Sequence, residues 1–474
     1  MFEPKVFRGR RRQLLKSLTS GIVLLPGNGE SPMNYVDNTY PFRQDSTFLY
    51  YGGIDRPGLF LVIDIDDGTT TILGKEPTVT DILWSGPQPG LAELRERSGA
   101  DKVDDLAALD GALTHAIQQG REVLYLPPYR AETRCQLEDL LGLKPGQSLL
   151  KHSEELARAV VAQRSIKEPR ELAEIEIALE TTQAMYSAAM QATCVGKFER
   201  EIAGLVEGIA IAGGGRLAYP CILTKLGQVL HNHHYHRRLE AGDLVVQDSG
   251  AATELGYASD ITRTYPVSGS FSVRQREIYQ AVLDSLMHSL ASVQAGRPFR
   301  DSHLVAARTM TDSLQQIGLM RGNLDESVAA GAHALFFPHG LGHMMGLDVH
   351  DMENLGEDIV GYDDEMARSE QFGLRALRFG RAPAPEYVLT VEPGCYFIGP
   401  LIDQWKAEKR HEAFINYDEI DSWRDFGGVR IEENIVVTAD GCRILGPPIP
   451  KLIADVEAAS GSSLPVSFSI HGGV

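Results

Sequence analysis

The chain has 474 residues, a length that predicts two or three domains. Its hydrophobic fraction of 43% and charged fraction of 23% are ordinary for a folded protein, which excludes a wholly disordered or collagen-like chain. Lys and Arg together number 45 and Asp and Glu number 64, so the formal charge is −19. This acidic balance argues against nucleic-acid and membrane partners, because phosphate and anionic lipid both attract basic surfaces.

The five cysteines are scattered without CxxC spacing, which argues against a disulfide framework and against a zinc knuckle. The basic run from Arg8 to Arg12 is interpreted as the solvated face of an amphipathic first helix. The apolar stretch after it is too short for a signal-peptide core, and we find no run of about 18 apolar residues. We therefore expect a cytoplasmic protein in a reducing compartment.

The N-terminal third predicts one α/β domain over residues 1–155. Residues 58–73 contain two β-rich runs on either side of an Asp-Gly pair, which is typical of a hairpin. Helical stretches follow to about residue 130, and residues 123–126 form a short apolar run that ends at two prolines. This run predicts a short buried strand.

A second domain is predicted over residues 156–450. Leu172, Ile175 and Leu179 form one apolar stripe after Pro169, which predicts a long helix. Helices of this kind alternate with strands along the rest of the domain. Residues 451–474 are predicted to form a C-terminal tail, which includes the small and polar residues 458–463 and is expected to be partly mobile.

Two aspartates mark the first candidate site. The apolar run LVVQD ends in Asp248, and the β-like run YASDITRTY carries Asp260 twelve residues later. If the two runs pair as an antiparallel hairpin centred on Glu254, the two aspartates face each other with Cβ atoms about 5 Å apart. Like charges at that distance require a cation or a protonated carboxylate.

Histidines and glutamates extend this pattern. The segment PHGLGH followed by LDVHD carries His339, His343 and His350. The first two have the spacing of a helical zinc motif, but the intervening glycines argue against a helix. We instead predict a glycine-rich turn and a strand that bring the imidazoles to a pocket. The segment LTVEPG predicts a strand that ends at Glu392, before Pro393.

The segment VRIEENIVV predicts another strand. Alternation places Arg430, Glu432 and Asn434 on one face and Glu433 on the other. The pattern leaves open which of the two glutamates is buried at a site. If it is Glu432, Arg430 is placed to hold it through a salt bridge. Taken singly, each of these aspartates, histidines and glutamates fits a structural role, but an ordered array on the strands of one domain indicates a site.

The array Asp248, Asp260, His343, Glu392 and Glu432 resembles the five metal ligands of the pita-bread dinuclear metallopeptidases. The proline-specific branch, aminopeptidase P and prolidase, fits best. The matching segments are DSGAATELGYASDITRTYP, FPHGLGHMMGLDVHD, LTVEPGCYF and GGVRIEENIVV. The two aspartates lie one residue further apart than is usual in the family, and we attribute the extra residue to the loop at residues 252–254.

The N-terminal segment YPFRQDSTFLYYGG resembles the N-terminal domain of aminopeptidase P proteins. The resemblance therefore implies an α/β N-terminal domain of the creatinase and aminopeptidase P type, followed by a pita-bread α+β catalytic domain. It also implies a homodimer or homotetramer, in which the N-terminal domains help to shape the entrance to the site.

The resemblance implies two divalent metal ions per chain. Four carboxylates would balance their charge, and oxygen ligands with one imidazole favour Mn²⁺, with Co²⁺, Fe²⁺ or Zn²⁺ as alternatives. By the family pattern, Asp260 and Glu432 bridge both ions, Asp248 binds one ion, and His343 and Glu392 bind the other. Glu392 is then the expected general base and proton shuttle for a water that the two ions activate.

Four further residues are expected in the catalytic and substrate-binding set. By the same resemblance, His350 stabilises the tetrahedral intermediate and His339 lines the proline side of the pocket. His231, in the segment QVLHNHHY, matches a histidine that faces the substrate, and Tyr396 matches a tyrosine near the site.

Two proline-specific activities remain open. An aminopeptidase P releases the first residue from Xaa-Pro peptides of any length, whereas a prolidase accepts only dipeptides and captures their carboxylate with arginine. The segment YPFRQDS favours the aminopeptidase. Arg378, in the segment GLRALR, and the insertion at residues 399–426 resemble prolidases. A non-catalytic pita-bread binding module and a metal-free relative such as creatinase are disfavoured, because all five ligands are present.

Overall fold

The computed structural model describes residues 2–460 and divides into two compact units. Of these residues, the first unit comprises those up to 164 and 352–359, and the second comprises 165–351 and 360–460. The part of the predicted tail at residues 461–474 lies outside the described residues. No helix in the described part of the chain is long and apolar enough to cross a lipid bilayer.

The first unit is an α/β domain. Its helices and strands, in chain order, are α1 (Pro4–Leu15), β1 (Ile22–Pro26), β2 (Pro32–Tyr35), β3 (Asn38–Thr39), α2 (Ser46–Gly52), β4 (Phe60–Asp64), β5 (Thr70–Gly74), α3 (Val79–Ser85), α4 (Leu91–Ser98), β6 (Lys102–Asp105), α5 (Ala108–Gln118), β7 (Val123–Leu124), α6 (Ala131–Leu140) and α7 (Glu154–Ser165).

A five-stranded mixed sheet forms the centre of this unit, in the order β6-β5-β4-β1-β7. Strands β4 and β5 pair antiparallel on either side of the Asp-Gly turn, so the predicted hairpin is confirmed. The strand predicted at residues 123–126 is present as β7, which pairs parallel with β1. Apolar side chains of β1, β4 and β5 pack against those of α5 to form the core.

The basic run in α1 differs from the prediction of a solvated face. Arg10 and Arg11 are buried. Arg10 donates a hydrogen bond to the carbonyl oxygen of Tyr50, and Arg11 donates to those of Tyr51 and Ser98. The two guanidinium groups therefore bind carbonyl oxygens near the ends of α2 and α4, where a helix lacks its own amide donors.

The second unit contains more elements. These are α8 (Pro169–Ala192), α9 (Glu199–Ala212), β8 (Arg216–Leu217), β9 (Ile222–Thr224), β10 (Leu244–Asp248), β11 (Ala251–Ala252), β12 (Thr262–Pro266), α10 (Val273–Ser292), α11 (Phe299–Gln316), α12 (Leu324–Ala330), α13 (Glu357–Gly361), which begins before residue 360, β13 (Val388–Val391), β14 (Gly394–Tyr396), α14 (Gly399–Ala407), α15 (Tyr417–Ile420), β15 (Gly428–Arg430), β16 (Glu433–Val437), β17 (Cys442–Ile444) and α16 (Ile453–Ala459).

Short antiparallel ladders bring the candidate site residues together. Strand β10 lies between β9 and β12, β16 lies between β13 and β17, and β14 pairs with β15. The backbone N–H of Glu432 donates to the carbonyl oxygen of Thr262 at 3.0 Å, which joins the β10–β12 ladder to the chain between β15 and β16. The predicted helix after Pro169 is α8, and Ile175 and Leu179 of its apolar stripe are buried.

The register of the aspartate hairpin differs from the predicted one. Asp248 pairs with Thr262 rather than with Asp260. The turn is centred one residue later than expected, because Gly256 adopts the left-handed region at φ 90° and its N–H closes the turn on Thr253. Asp260 is therefore a diagonal neighbour of Asp248 on the same face, and the two carboxylates still approach each other.

Candidate metal centre

Five side chains from separate elements converge at the floor of one cavity. Asp248 is the last residue of β10, Asp260 precedes β12, Glu392 directly follows β13, and Glu432 lies between β15 and β16. All of them line the cavity, as does His343. Ligand atoms of Asp260, His343 and Glu432 lie within 4.8 Å of one another. The structure thus brings together the five residues that the sequence predicts as metal ligands.

His343 is held in one tautomer. It lies in an irregular segment that is joined to β13 by backbone hydrogen bonds, with Met344 and Leu389 as an isolated β-bridge, so the predicted strand around the histidines is not formed as a regular element. Its ring Nδ1 contacts the carbonyl oxygen of Met344 at 3.0 Å and must donate there. The lone pair of Nε2 then faces Asp260 Oδ2 at 3.3 Å and Glu392 Oε1 at 3.6 Å. This is the arrangement of an imidazole that binds a cation.

Glu432 has one oxygen satisfied and one without a partner. Thr262 Oγ1 donates to its Oε2 at 2.7 Å. Its Oε1 is buried and has no hydrogen-bond partner among the described residues. A buried carboxylate oxygen without a donor is costly unless a cation contacts it.

Burial and mutual repulsion disfavour the charged forms of these carboxylates, and a bound cation would stabilise those forms. Burial, and then the charges of neighbouring carboxylates, raise the pKa of Glu432 well above its usual value. Burial also raises the pKa of Asp248, against the lowering effect of Arg430. Burial raises the pKa of Glu392 to about 7, although His343 acts to lower it. Four carboxylates, an oriented imidazole lone pair and an orphaned oxygen fit divalent cations well.

The cavity above this cluster has a volume of about 330 Å³. Its lining includes four residues that the sequence assigns to substrate or catalysis, namely His231, His339, His350 and Arg378. Burial lowers the pKa of His231, and Arg430 lowers it further. The ring of His350 stacks on that of His343, with centroids 3.7 Å apart and an angle of 14° between the planes.

Tyr396 and Arg430 differ from their predicted roles. Tyr396 is fully buried and does not line the cavity. Arg430 forms its ion pair with Asp248, not with Glu432. It reaches Glu432 only indirectly, because its Nε donates at 3.1 Å to the same Thr262 hydroxyl that donates to Glu432. Alternation fixes the strand face of Arg430 but not the partner that its long side chain reaches.

A hydrogen-bonded chain links Arg430 to the cavity wall. Arg430 Nη1 donates to Tyr396 Oη at 2.9 Å, so the hydroxyl is left to donate to His339 Nε2 at 2.8 Å. Nδ1 of His339 in turn donates to the carbonyl oxygen of Gly340. Both ring nitrogens of His339 are therefore engaged, and burial lowers its pKa to about 3. His339 presents a neutral ring to the cavity.

Sequence reasoning missed three contributors to the centre. The single hydroxyl of Tyr219 lies within hydrogen-bonding distance of carboxylate oxygens of both Asp248 and Asp260, yet a lone tyrosine before a proline carries no signal. Thr262 contacts Glu432 from the partner strand of Asp248, which only the true register reveals. Asn434 accepts the backbone N–H of Asp260 through Oδ1 at 2.9 Å. Alternation places Asn434 on the same strand face as Glu432, and this pattern could have indicated its role.

Comparison with known proteins places this geometry in a family. Metallopeptidase family M24 matches residues 173–439, which is more than half of the chain. The chain belongs to metallopeptidase family M24. A second family, the aminopeptidase P N-terminal domain, matches residues 7–125. The M24 enzyme therefore has the predicted architecture, an aminopeptidase P-type N-terminal domain followed by a pita-bread catalytic domain.

Individual relatives span nearly the whole M24 chain. The human protein Xaa-Pro dipeptidase is 31% identical over 449 residues, which cover 92% of this chain and 88% of the relative. The probable Xaa-Pro aminopeptidase of Sordaria macrospora is 32% identical, with coverage of 89% and 88%.

Solved structures similar to this chain include those of two aminopeptidases. Aminopeptidase PepP of Pseudomonas aeruginosa superimposes with a TM-score of 0.80 at 26% identity, and an alanine variant of Escherichia coli aminopeptidase P in complex with substrate does so with 0.80 at 28% identity. Each match covers 97% of this chain and 98% of the other. The predicted membership in the proline-specific pita-bread peptidases is confirmed.

Proposed function

We propose that this enzyme is an Xaa-Pro aminopeptidase, which removes the first residue from peptides with proline in the second position. The observation that carries the proposal is the convergence of His343 and four carboxylates, three of them buried, on one cavity of about 330 Å³. It is supported by the likeness of nearly the whole chain to aminopeptidase P structures.

Two divalent cations per chain complete this proposal, held by Asp248, Asp260, His343, Glu392 and Glu432. The oxygen-rich donor set favours Mn²⁺, with Co²⁺, Fe²⁺ or Zn²⁺ as alternatives. When bound, such ions polarise the scissile carbonyl and lower the pKa of a water molecule. Metal content of the active protein, measured by elemental analysis, tests this part directly, and a chain that hydrolyses Xaa-Pro peptides without metal contradicts it.

The protein's own residues then position the substrate and move protons. Glu392 accepts a proton from the attacking water and delivers it to the proline nitrogen as the peptide bond breaks. His350 lies beside the cluster and donates a hydrogen bond to the carbonyl oxygen as negative charge develops on it. His339 cannot donate into the cavity, since both its nitrogens are engaged, so it contacts the substrate through its ring.

A second candidate activity, Xaa-Pro dipeptidase, is favoured by one residue. Arg378 lines the same cavity, where a guanidinium can bind the C-terminal carboxylate of a dipeptide. The human relative of that name supports this alternative. Turnover of Xaa-Pro-Xaa tripeptides against Xaa-Pro dipeptides, with Mn²⁺ supplied, separates the two. Cleavage of tripeptides establishes the aminopeptidase, and cleavage of dipeptides alone establishes the dipeptidase.

The proposed enzyme acts as a homodimer or homotetramer in the cytoplasm. None of the seven residues of α3 is buried, and Leu83 and Trp84 are 76% and 82% exposed. An exposed apolar patch of this kind is typical of a protein contact, and we assign it to a second copy of the chain. Trp84→Ser should reduce the mass measured by light scattering.

The five cysteines are all free, which supports a reducing compartment.

A further inference from the structure

A buried ion pair lies in the catalytic unit outside the carboxylate cluster. Lys167 Nζ contacts Asp351 Oδ2 at 2.9 Å, and each side chain is 1% exposed. The two residues are far apart in sequence, and neither lines the cavity. Buried pairs contribute little net stability, because desolvation of both charges offsets their attraction. The pair is therefore expected to act by fixing the geometry of the segments that it joins.

The aspartate end of the pair closes the segment that carries the two stacked histidines. Asp351 directly follows His350, and its backbone N–H donates to the carbonyl oxygen of Met344 at 2.9 Å. Its Oδ1 accepts the backbone N–H of Asp348 at 3.3 Å. One carboxylate thus binds the segment 343–351 from within while its other oxygen binds the ammonium.

Gly346 shows how tightly the pair packs against this segment. A Cβ atom at residue 346 would lie 2.5 Å from Asp351 Oδ2 and 2.9 Å from Lys167 Cε. The carbonyl oxygen of Gly346 accepts the backbone N–H of Ala258, two residues before Asp260, at 2.8 Å. The ion pair therefore presses on a backbone that also contacts the aspartate hairpin of the metal centre.

The lysine end is anchored independently. Lys167 lies between α7 and α8, and its backbone N–H donates to the carbonyl oxygen of Glu386 at 2.9 Å, just before β13. Two residues earlier, Ser165 Oγ donates to Met344 Sδ at 3.6 Å. The ammonium is thus presented from a segment whose backbone is fixed on the catalytic unit, so it can act as a rigid support.

We infer that Lys167 and Asp351 are positioning residues, which hold the ring of His350 against His343 and toward the substrate. Neither residue touches the substrate; both act through His350. The inference rests on the proposed function for its effect on turnover. A support of this kind, one contact removed from the reacting groups, typically changes activity by about 10- to 100-fold.

The first test is turnover of an Xaa-Pro peptide by Lys167→Met at saturating Mn²⁺. We expect kcat to fall about 10- to 100-fold while KM changes less than threefold, because substrate contacts remain. Asp351→Asn keeps an oxygen for the ammonium, so its kcat should fall less than that of Lys167→Met. This variant tests the inference even if Lys167→Met folds poorly. Turnover within twofold of the parent in both variants would overturn the inference.

The second test asks whether the lysine acts through the histidine. In a His350→Ala background, Lys167→Met should change kcat less than twofold, since the group that it positions is already missing. A loss as large as in the parent background would contradict the inference. Lys225→Met is the control, because it removes ion pairs with Glu240 and Asp243 in the same unit and Lys225 does not line the cavity.

Hydrogen exchange measured by mass spectrometry provides a reading that needs no activity. Amides of residues 343–351 should exchange faster in Lys167→Met than in the parent and in Lys225→Met. Unchanged exchange there would refute the positioning role. If the parent hydrolyses no Xaa-Pro peptide, the proposed function fails by itself, and this measurement still decides whether the pair holds the segment.

Discussion

Glu432 and Glu433 are consecutive and both buried, yet their side chains enter opposite surroundings. Glu433 accepts hydrogen bonds from Arg263 Nη2 at 2.7 Å and from Lys451 Nζ at 2.8 Å. Glu432 faces the other carboxylates, and its Oε1 has no partner among the described residues. The protein thus supplies cations of its own to the buried Glu433, and leaves an oxygen of Glu432 unpartnered at the proposed metal site.

The largest effect is expected on the open side of this comparison, at Glu392. Glu392→Gln keeps the size of the side chain but removes the carboxylate that we propose as the proton acceptor. Turnover should fall by about three orders of magnitude. The thermal transition should persist, because no protein cation loses its partner. Steady-state kinetics and a melting curve measure both, and near-native turnover would refute the proton-shuttle role.

Glu432→Gln sharpens the comparison by removing one carboxylate of the cluster. Repulsion among the buried carboxylates falls, so the metal-free protein should be at least as stable as the parent. Affinity for Mn²⁺ should fall at least tenfold. Calorimetric titration with Mn²⁺ and melting in a chelator measure the two quantities. A metal-free variant that is markedly less stable would show that Glu432 has a structural role.

Glu433→Gln should give the opposite result. Arg263 would keep its bonds to backbone carbonyl oxygens, but its charge and that of Lys451 would lose their buried partner. We expect the free energy of unfolding to fall by about 3 kcal/mol. kcat should stay within a few-fold of the parent in the fraction that remains folded. Denaturant melts and kinetics test this, and a stable but inactive variant would reverse the assignment of the two glutamates.

His303 and His333 provide the smallest test, because they are buried and their ring nitrogens have no hydrogen-bond partner among the described residues. Burial lowers the pKa of His303 to about 3 and that of His333 to about 4. The unfolded chain, with ordinary histidine pKa values, therefore binds protons first as the pH falls. Stability is fully present above about pH 6.5 and is lost as the pH falls toward 4.

Each of these histidines should lower the free energy of unfolding by roughly 2 kcal/mol between pH 7.5 and pH 5. His303→Phe keeps an aromatic ring and should remove its share of that pH dependence. Denaturant melts of parent and variant at the two pH values measure the difference. Equal slopes would show that the unpartnered nitrogens of His303 are solvated or paired in solution.

Part of the candidate metal centre could be predicted from sequence, because Asp248 and Glu392 each stand at the end of an apolar run. Asp248 and Glu392 close predicted strands, and alternation places Glu432 and Glu433 on opposite faces. The pattern could not say which face holds the site, since both are buried. Partners far away in sequence decide it, and Arg263 and Lys451 belong to other segments of the chain.

The errors have similar physical causes. One left-handed glycine, Gly256, shifts the hairpin and replaces Asp260 by Thr262 opposite Asp248. A run of arginines indicates a solvated surface, but Arg10 and Arg11 bind helix-end carbonyl oxygens that only the tertiary fold places beside them. Tyr219 carries no local signal, because its contacts with the aspartates depend on the fold as a whole.

The discontinuous first unit has a practical consequence for the expression of separate domains. Residues 352–359 cluster with residues 1–164, although they follow directly on the segment that bears His350 and Asp351. A fragment that stops at Arg164 would lack part of its own fold. A fragment that starts at Ser165 would carry that part without its neighbours. Either fragment expressed alone should therefore fold incompletely. Exchange of the N-terminal unit between relatives requires the replacement of two chain segments rather than one.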